Sequence, residues 1–344
     1  MTVYYAVYGL LLALARLVRR GPAYWLALVG LTLFAGLRYW VGCDFSGYLN
    51  NWELMRGATL PVAFAFSEPA HWALIILLQG WGFAYTHLLL VAAIIFFAGF
   101  HALARRQPHP MAMLALAFPV LIINMPMSGI RQAEAIGLMC LAFNAFVDRA
   151  VVRYVAFVLL AALFHGSAMV FLALAPFIRL RFSFRNALLG LVLLAPGLWL
   201  MAQSGAADTA ISRYVGTGID AAGAAFRLLI LVLSGAAYLW KIRPLWREAF
   251  PADYKLVTIG AWMMVAFFAL FPISSVIGDR FGYYLIPLQL VIFARLPYLP
   301  GLPNRKLWIA APWVLLSLVF VVWTTLSGHF HQCYVPYQMG IYEG

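Results

Sequence analysis

The sequence predicts an all-α polytopic integral membrane protein, a single membrane domain over residues 1–344. Three observations carry this prediction. The chain is 65% hydrophobic and only 10% charged, whereas soluble domains carry roughly 25% charged residues. Its mean hydropathy is +0.91, too high for a globule that must cover itself with polar surface. Its basic residues fall in short clusters between apolar runs of helical length.

About twelve apolar runs read as spanning or partly spanning helices: 2–18, 22–42, 86–104, 110–124, 133–148, 151–164, 166–178, 186–203, 225–240, 255–272, 282–296 and 307–326. Several are shorter than the roughly 20 residues a helix needs to cross the hydrocarbon core. The pair 151–164 and 166–178 is broken at His165-Gly166. It reads either as two short spans or as a re-entrant hairpin, and both alternatives begin and end on the same side. Arg16, Arg19 and Arg20 follow the first run rather than precede it. That run is therefore expected to be a retained helix and not a cleaved signal.

Placing the basic residues on these runs puts seventeen on one side and six on the other. The richer side, with clusters such as Arg105-Arg106, is cytoplasmic by the positive-inside rule. The outward six are Arg38, Arg56, Arg131, Arg213, Arg227 and Arg280. Both termini then face outward, with longer outward segments at 43–85, 204–224 and the tail 327–344. Within the first, His71 to Gln79 is semi-apolar. Read as a full span, it would put Arg105-Arg106 outside. It is therefore expected to be an amphipathic helix in the outer interface, with Trp72 and Trp81 at headgroup level. The net charge of +12 does not point to nucleic acid, because its clusters are those of cytoplasmic loops. Cys43, Cys140 and Cys333 match no metal spacing. Cys43 and Cys333 both fall outside, where a disulfide is allowed, but nothing in the sequence brings them together.

The outward polar residues are the candidate site. Arg131 lies in Ser128-Gly129-Ile130-Arg131-Gln132-Ala133-Glu134, between two apolar runs, with Asn124 just before. An arginine at membrane depth costs about 3 kcal/mol on insertion scales and is rarely accidental. Arginine's planar fork binds phosphate oxygens bidentately and keeps its charge. Structural alternatives stand beside this. Arg131 and Glu134, at i and i+3, are placed to pair with each other. Arg38 is placed to snorkel from a span end. Asp44 reads equally as a loop cap, His165 as a satisfied core histidine, and Asp279-Arg280 as a local surface pair. Arg56 and Arg227 read as ordinary boundary charges.

These residues sit in stretches that resemble the EpsG family, Wzy-like polymerases of bacterial exopolysaccharide and O-antigen. Leu37-Arg38-Tyr39-Trp40-Val41-Gly42-Cys43-Asp44-Phe45-Ser46-Gly47-Tyr48 is similar to its R-Y-x-V-G-x-D-x-x-x-Y signature. Four further stretches agree in order: Ser67-Glu68-Pro69, Ile130-Arg131-Gln132-Ala133, Leu163-Phe164-His165-Gly166-Ser167-Ala168 and Asp279-Arg280-Phe281-Gly282-Tyr283-Tyr284. The tail Tyr334-Val335-Pro336-Tyr337 resembles the family's C-terminal P-Y. Gly166 stands where the family has a larger residue.

The resemblance implies a GT-C-like bundle in the bacterial inner membrane with its active site facing the periplasm. It implies glycosyl transfer of a growing glycan on undecaprenyl diphosphate onto an incoming lipid-linked repeat. Arg131 and Arg280 are then the expected diphosphate ligands, with Arg38 and Arg213 as further phosphate or sugar contacts. Gln132, Asn124, Tyr48 and Tyr337 are expected to bind sugar. Asp44 is the first choice of general base, followed by His165 and Glu134. No metal cofactor is expected, the alternative being Mg²⁺ on Asp44, Glu134 and Asp279. Expected partners are the lipid-linked glycan, membrane lipids, and a chain-length regulator and flippase of the same pathway. The rival readings are a lipid-linked oligosaccharide flippase, a glycosyltransferase using a polyprenyl-monophosphate sugar, and an O-acyltransferase with His165 as base. A flippase calls for a cation-lined path to both faces, whereas these charges gather at the outer end.

Overall fold

The computed structural model describes residues 1–180, 185, 186, 188, 192, 223–272 and 274–340. Arg213, the 204–222 part of the second outward loop and nearly all of the run 186–203 lie outside the described residues. Among the described residues the chain is helical, without a strand.

The helices in order are α1 Thr2–Leu17, α2 Pro22–Gly36, α3 Phe45–Leu54, α4 Leu60–Ala63, α5 Pro69–Gly80, α6 Tyr85–Ala104, α7 Pro110–Ala117, α8 Ile130–Val147 and α9 Val151–Phe164. After a 3-10 stretch, Gly166–Ile178, come α10 Ala224–Ala237, α11 Arg243–Ala249, α12 Tyr254–Ala266, α13 Ser275–Arg295, α14 Arg305–Leu326 and α15 Gly328–Tyr334. Among the described residues, five segments are long and apolar enough to cross a membrane: Tyr85–Ala104, Ile130–Val147, Ala224–Ala249, Ser275–Tyr298 and Arg305–Leu326. The other predicted spans with described helices are shorter apolar helices of 10–17 residues.

Two boundaries move in a way that matters for the site. α8 starts at Ile130, so Arg131 and Gln132 sit in its opening turn rather than in a link before it. α13 starts at Ser275, where the Ser274 hydroxyl accepts the Ile277 N–H at 3.3 Å. That cap opens the helix early and carries Asp279 and Arg280 onto it. Elsewhere, α7 gives way to a π-helical turn at Phe118–Ile122, where Pro119 removes a helical donor. The segment after α9 folds back at His165, and the Tyr154 hydroxyl donates to the Phe171 carbonyl at 2.6 Å.

α8 is the centre of the bundle, and its close partner is α6. A Cβ on Gly99 would stand 1.9 Å from the Gly137 carbonyl oxygen, so the two backbones touch there. Small residues permit this approach, as they do between membrane helices generally. At the other extreme, α14 buries only Pro312, Leu316, Phe320 and Thr324, and Val314, Leu318 and Leu326 face outward. That is the surface a lipid-facing helix presents.

The outward loop forms a second apolar cluster, with Phe45, Tyr48, Trp52, Trp72 and Tyr85 inside it. This corrects the expectation of an interfacial helix with Trp72 at headgroup level. α5 packs against α6 and α9, and Trp72 is buried, stacked on Phe66 and donating Nε1–H to the Ser67 carbonyl. Trp81 is exposed. Cys43 and Cys333 are joined in a disulfide, tying the start of this loop to α15. The tail continues the tie: Tyr39 N–H donates to the Gln338 carbonyl and Gly340 N–H to the Leu37 carbonyl. Gly42 makes the junction possible. Its φ is +102°, and a Cβ would lie 2.0 Å from the Met127 carbonyl oxygen, so no other residue fits.

Candidate functional site

At the end of the bundle next to α3 and α15 is a polar cavity of about 530 Å³. α8 supplies Arg131 and Gln132, α13 supplies Asp279, Arg280 and Tyr283, and α10 supplies Arg227. α3 and the turn before it add Asp44, Tyr48 and Asn51, while Asn124, Ser128 and His165 come from connecting turns. With Trp323, His329 and Tyr334 from α14 and α15, residues from six separate stretches of the described chain meet in one space.

Arg131 is held from several directions. Its guanidinium donates to Glu68 Oε2 at 2.5 Å and lies 5.7 Å from the centre of the Tyr48 ring. Glu68 does more than neutralise it. Its Oε1 accepts the Gly166 N–H at 3.1 Å and lies 4.0 Å from His165 Nδ1. One carboxylate from the outward loop therefore fixes both the start of α8 and the break after α9. Burial works against the Glu68 charge, yet the His165 ring, the Arg131 guanidinium and the Gly166 N–H hold its carboxyl below the usual carboxylate range. Glu68 also adopts a left-handed backbone, φ 66°, just before Pro69. Such a conformation costs a non-glycine residue about 1–3 kcal/mol and persists only where neighbours over-determine it.

On the opposite wall Arg227 and Asp279 form a two-pronged ion pair, at 2.8 Å and 2.7 Å. The Arg227 guanidinium also lies 5.4 Å from the Tyr283 ring centre. Gln132 links the walls, donating Nε2–H to the Arg280 carbonyl at 2.6 Å. His165 Nδ1 is 2.6 Å from Ser167 Oγ, which donates in turn to the Tyr284 hydroxyl at 3.2 Å. Asp44 is exposed at the cavity, and its Oδ2 accepts from the Ser128 hydroxyl at 3.1 Å. Asn124 lines the cavity while its amide donates to the Val120 carbonyl.

Several sequence expectations fall elsewhere. Arg38 is 1% exposed and does not line the cavity. It donates to the carbonyls of Ala35 and Val41, holding the turn after α2. Glu134 is fully buried and sits 2.9 Å from His71 on α5, so it pairs neither with Arg131 nor with anything in the cavity. Tyr337 donates to the Phe34 carbonyl and stacks on the Phe34 ring. Asp279 pairs with Arg227 and not with its neighbour Arg280. Asp44, Glu134 and Asp279 do not gather as metal ligands. Among the described residues the one close group of three metal-ligating residues is Cys43, His329 and Cys333, and its two sulfurs are spent in the disulfide.

Two site residues were passed over in the sequence. Arg227 read as a boundary charge, although it sits inside the apolar stretch Ala224–Ala237. Glu68 carried a motif but no visible partner, since Arg131 is 63 residues away. Searches of curated proteins and of solved structures find no match. The model of the EpsG family matches residues 23–339, a range that takes in every cavity residue. The chain belongs to the EpsG family, a Wzy-like polysaccharide polymerase family.

Proposed function

We propose that the protein polymerises undecaprenyl-diphosphate-linked repeat units on the outer side of the bacterial inner membrane. The growing glycan moves from its lipid diphosphate to a non-reducing-end hydroxyl of an incoming lipid-linked repeat. The bond between the anomeric carbon and the diphosphate oxygen breaks, and a new glycosidic bond forms to the acceptor oxygen. The acceptor's proton passes to a base, and undecaprenyl diphosphate leaves with the bonding electron pair.

The observation that carries this reading is a cavity in which Arg131, Arg227 and Arg280 stand with the exposed carboxylate of Asp44. A leaving diphosphate gains charge as the bond breaks. Cations already in place stabilise that charge without reorganising, which is a large effect in a site of low dielectric. Arg131 and Arg280 hold the diphosphate in this scheme. Gln132, Asn124 and Tyr48 face the sugars. Asp44, a hydrogen-bond acceptor open to the cavity, takes the acceptor proton. The scheme draws its neutralising charge from guanidinium groups and calls on no metal. The Cys43–Cys333 disulfide supports an outward-facing cavity, because disulfides persist on the oxidising side of the membrane. A flippase and a chain-length regulator of the same pathway are its natural partners.

The test is polymer length in cells that depend on this chain. Asp44→Asn at normal expression should leave single repeats on lipid, with no ladder. A normal ladder would remove Asp44 from the base role. His165→Gln, made in parallel, asks whether the histidine holds that role instead.

A further inference from the structure

Between α1 and α14 lies a groove of about 1080 Å³, against about 530 Å³ for the polar cavity. Its walls are apolar: Leu12 and Ala13 from α1, and Ile309, Ala310, Trp313 and Val314 from α14. Beyond one end of it the two helices are joined. The Tyr8 hydroxyl is 2.9 Å from Ser317 Oγ and the Tyr5 hydroxyl 2.6 Å from Thr324 Oγ1. Both tyrosine rings pack edge-on against Phe320. Ser317 lines the groove, so its bond to Tyr8 marks where the groove stops. From there toward the arginine-rich end the helices part.

Two cations stand at that open end. Arg16, in the last turn of α1, and Lys306, in the first turn of α14, line the groove and are exposed, and its described lining includes no acidic residue. At the same end of the bundle Arg106 is bound to Asp148 and Arg295 to Asp253. The groove is one leaflet deep. From Lys306 to Ser317, α14 rises about 16 Å, close to half of a hydrocarbon core of about 30 Å. An acyl chain laid in the groove therefore brings its headgroup to Arg16 and Lys306. A lipid phosphate there accepts from a guanidinium fork and an ammonium together, and cations at a helix end draw anionic lipid. A polyprenyl chain anchored in the polar cavity has its phosphates at the wrong end: α14 runs from Lys306 at the groove mouth to Trp323 at that cavity.

We propose that this groove binds one anionic phospholipid of the leaflet at the arginine-rich end, with an acyl chain between α1 and α14 and its phosphate on Arg16 and Lys306. The site goes beyond the polymerase reading and does not depend on it. The bound lipid bridges α1 and α14 along the half of α14 that the tyrosine contacts leave open.

The experiment follows lipid binding to the full chain in detergent micelles by native mass spectrometry, using phosphatidylglycerol and phosphatidylcholine with the same acyl chains. The first phosphatidylglycerol is expected to bind about tenfold more tightly than the first phosphatidylcholine. Arg16→Gln combined with Lys306→Gln should bring that ratio close to one. Ala310→Trp, which fills the groove, should weaken the first binding of both lipids. All three residues are exposed, so these variants are expected to fold. A wild-type ratio close to one overturns the site, as does a tenfold preference that survives the paired substitution. Ala310→Trp protein that binds phosphatidylglycerol as the wild type does overturns the groove as its seat. Equimolar undecaprenyl phosphate is expected to leave the phosphatidylglycerol bound, and displacement by it overturns the phospholipid assignment.

Discussion

Arg131 and Arg295 are both arginines bound to carboxylates in a largely apolar chain, and they do different work. Arg295, on the arginine-rich side, is closed in. It donates to Asp253 at 2.5 Å and to Gln107 at 2.7 Å, and it lies over the rings of Trp246 and Phe250. Asp253 accepts the Trp246 N–H with its other oxygen, so the cage is satisfied by its own members. Arg131 is also tied, to Glu68, but its side chain is 30% exposed where that of Arg295 is 9%. It opens on a cavity shared with Arg227, Arg280 and Asp44. A buried arginine is therefore not in itself a sign of chemistry. Arg295 also borders a cavity, of about 350 Å³ and mostly apolar, so what distinguishes the outer cluster is the number of charged groups that share its space and the exposure of Arg131.

The comparison can be broken from either end. The largest expected effect is on the inner cage. Arg295→Ala strands Asp253 as a buried charge and should cost about 3–5 kcal/mol of stability, read by thermal unfolding. The folded fraction should polymerise normally. A well-folded but inactive Arg295→Ala protein would put the inner cluster into the reaction and erase the distinction. Next, Arg131→Ala should slow glycan extension by about 10²–10³-fold, and it should also lower stability, because Glu68, only 13% exposed, loses its cation. Arg131→Lys should recover little of that rate, because a point charge cannot reproduce the planar fork.

Cutting the Cys43–Cys333 bond with Cys333→Ser should cost about 2–4 kcal/mol. Since the bond ties the cavity's rim together, extension should fall along with stability. The smallest effect is expected at Glu68. Glu68→Gln keeps the shape but removes the charge that orients Arg131, and a rate loss of about tenfold is expected, equal to about 1.4 kcal/mol. The pH dependence has a definite sign. The Glu68 carboxyl lies below its ordinary range, so its contribution to stability is full above that range. It fades as the pH falls through the depressed value. Glu68→Gln should flatten this acid limb, and an unchanged limb would detach Glu68 from it.

Much of the fold was legible in the sequence, for a plain reason. Apolar runs and arginine clusters are local signals, and they placed Arg131, Arg280, Asp44 and His165 at one end of the bundle. Partner choice is not local. The i, i+3 spacing suggested that Arg131 pairs with Glu134, yet each found a partner on the outward loop, Glu68 and His71 respectively. Arg38 and Arg131 looked alike, as arginines within motifs beside apolar runs. Only the path of the chain after α2 turns the Arg38 fork back onto its own carbonyls. α5 misled for the same reason. Its apolar run is compatible with a membrane surface, and its burial depends on α6 and α9, which the run itself does not reveal.

The most direct measurement is the affinity of the purified chain for undecaprenyl diphosphate in nanodiscs, compared between wild type, Arg131→Lys and Arg295→Lys. If the outer arginines hold a leaving diphosphate, Arg131→Lys should weaken binding by about tenfold or more, while folded Arg295→Lys binds as the wild type does. Equal affinity in wild type and Arg131→Lys would contradict the central claim.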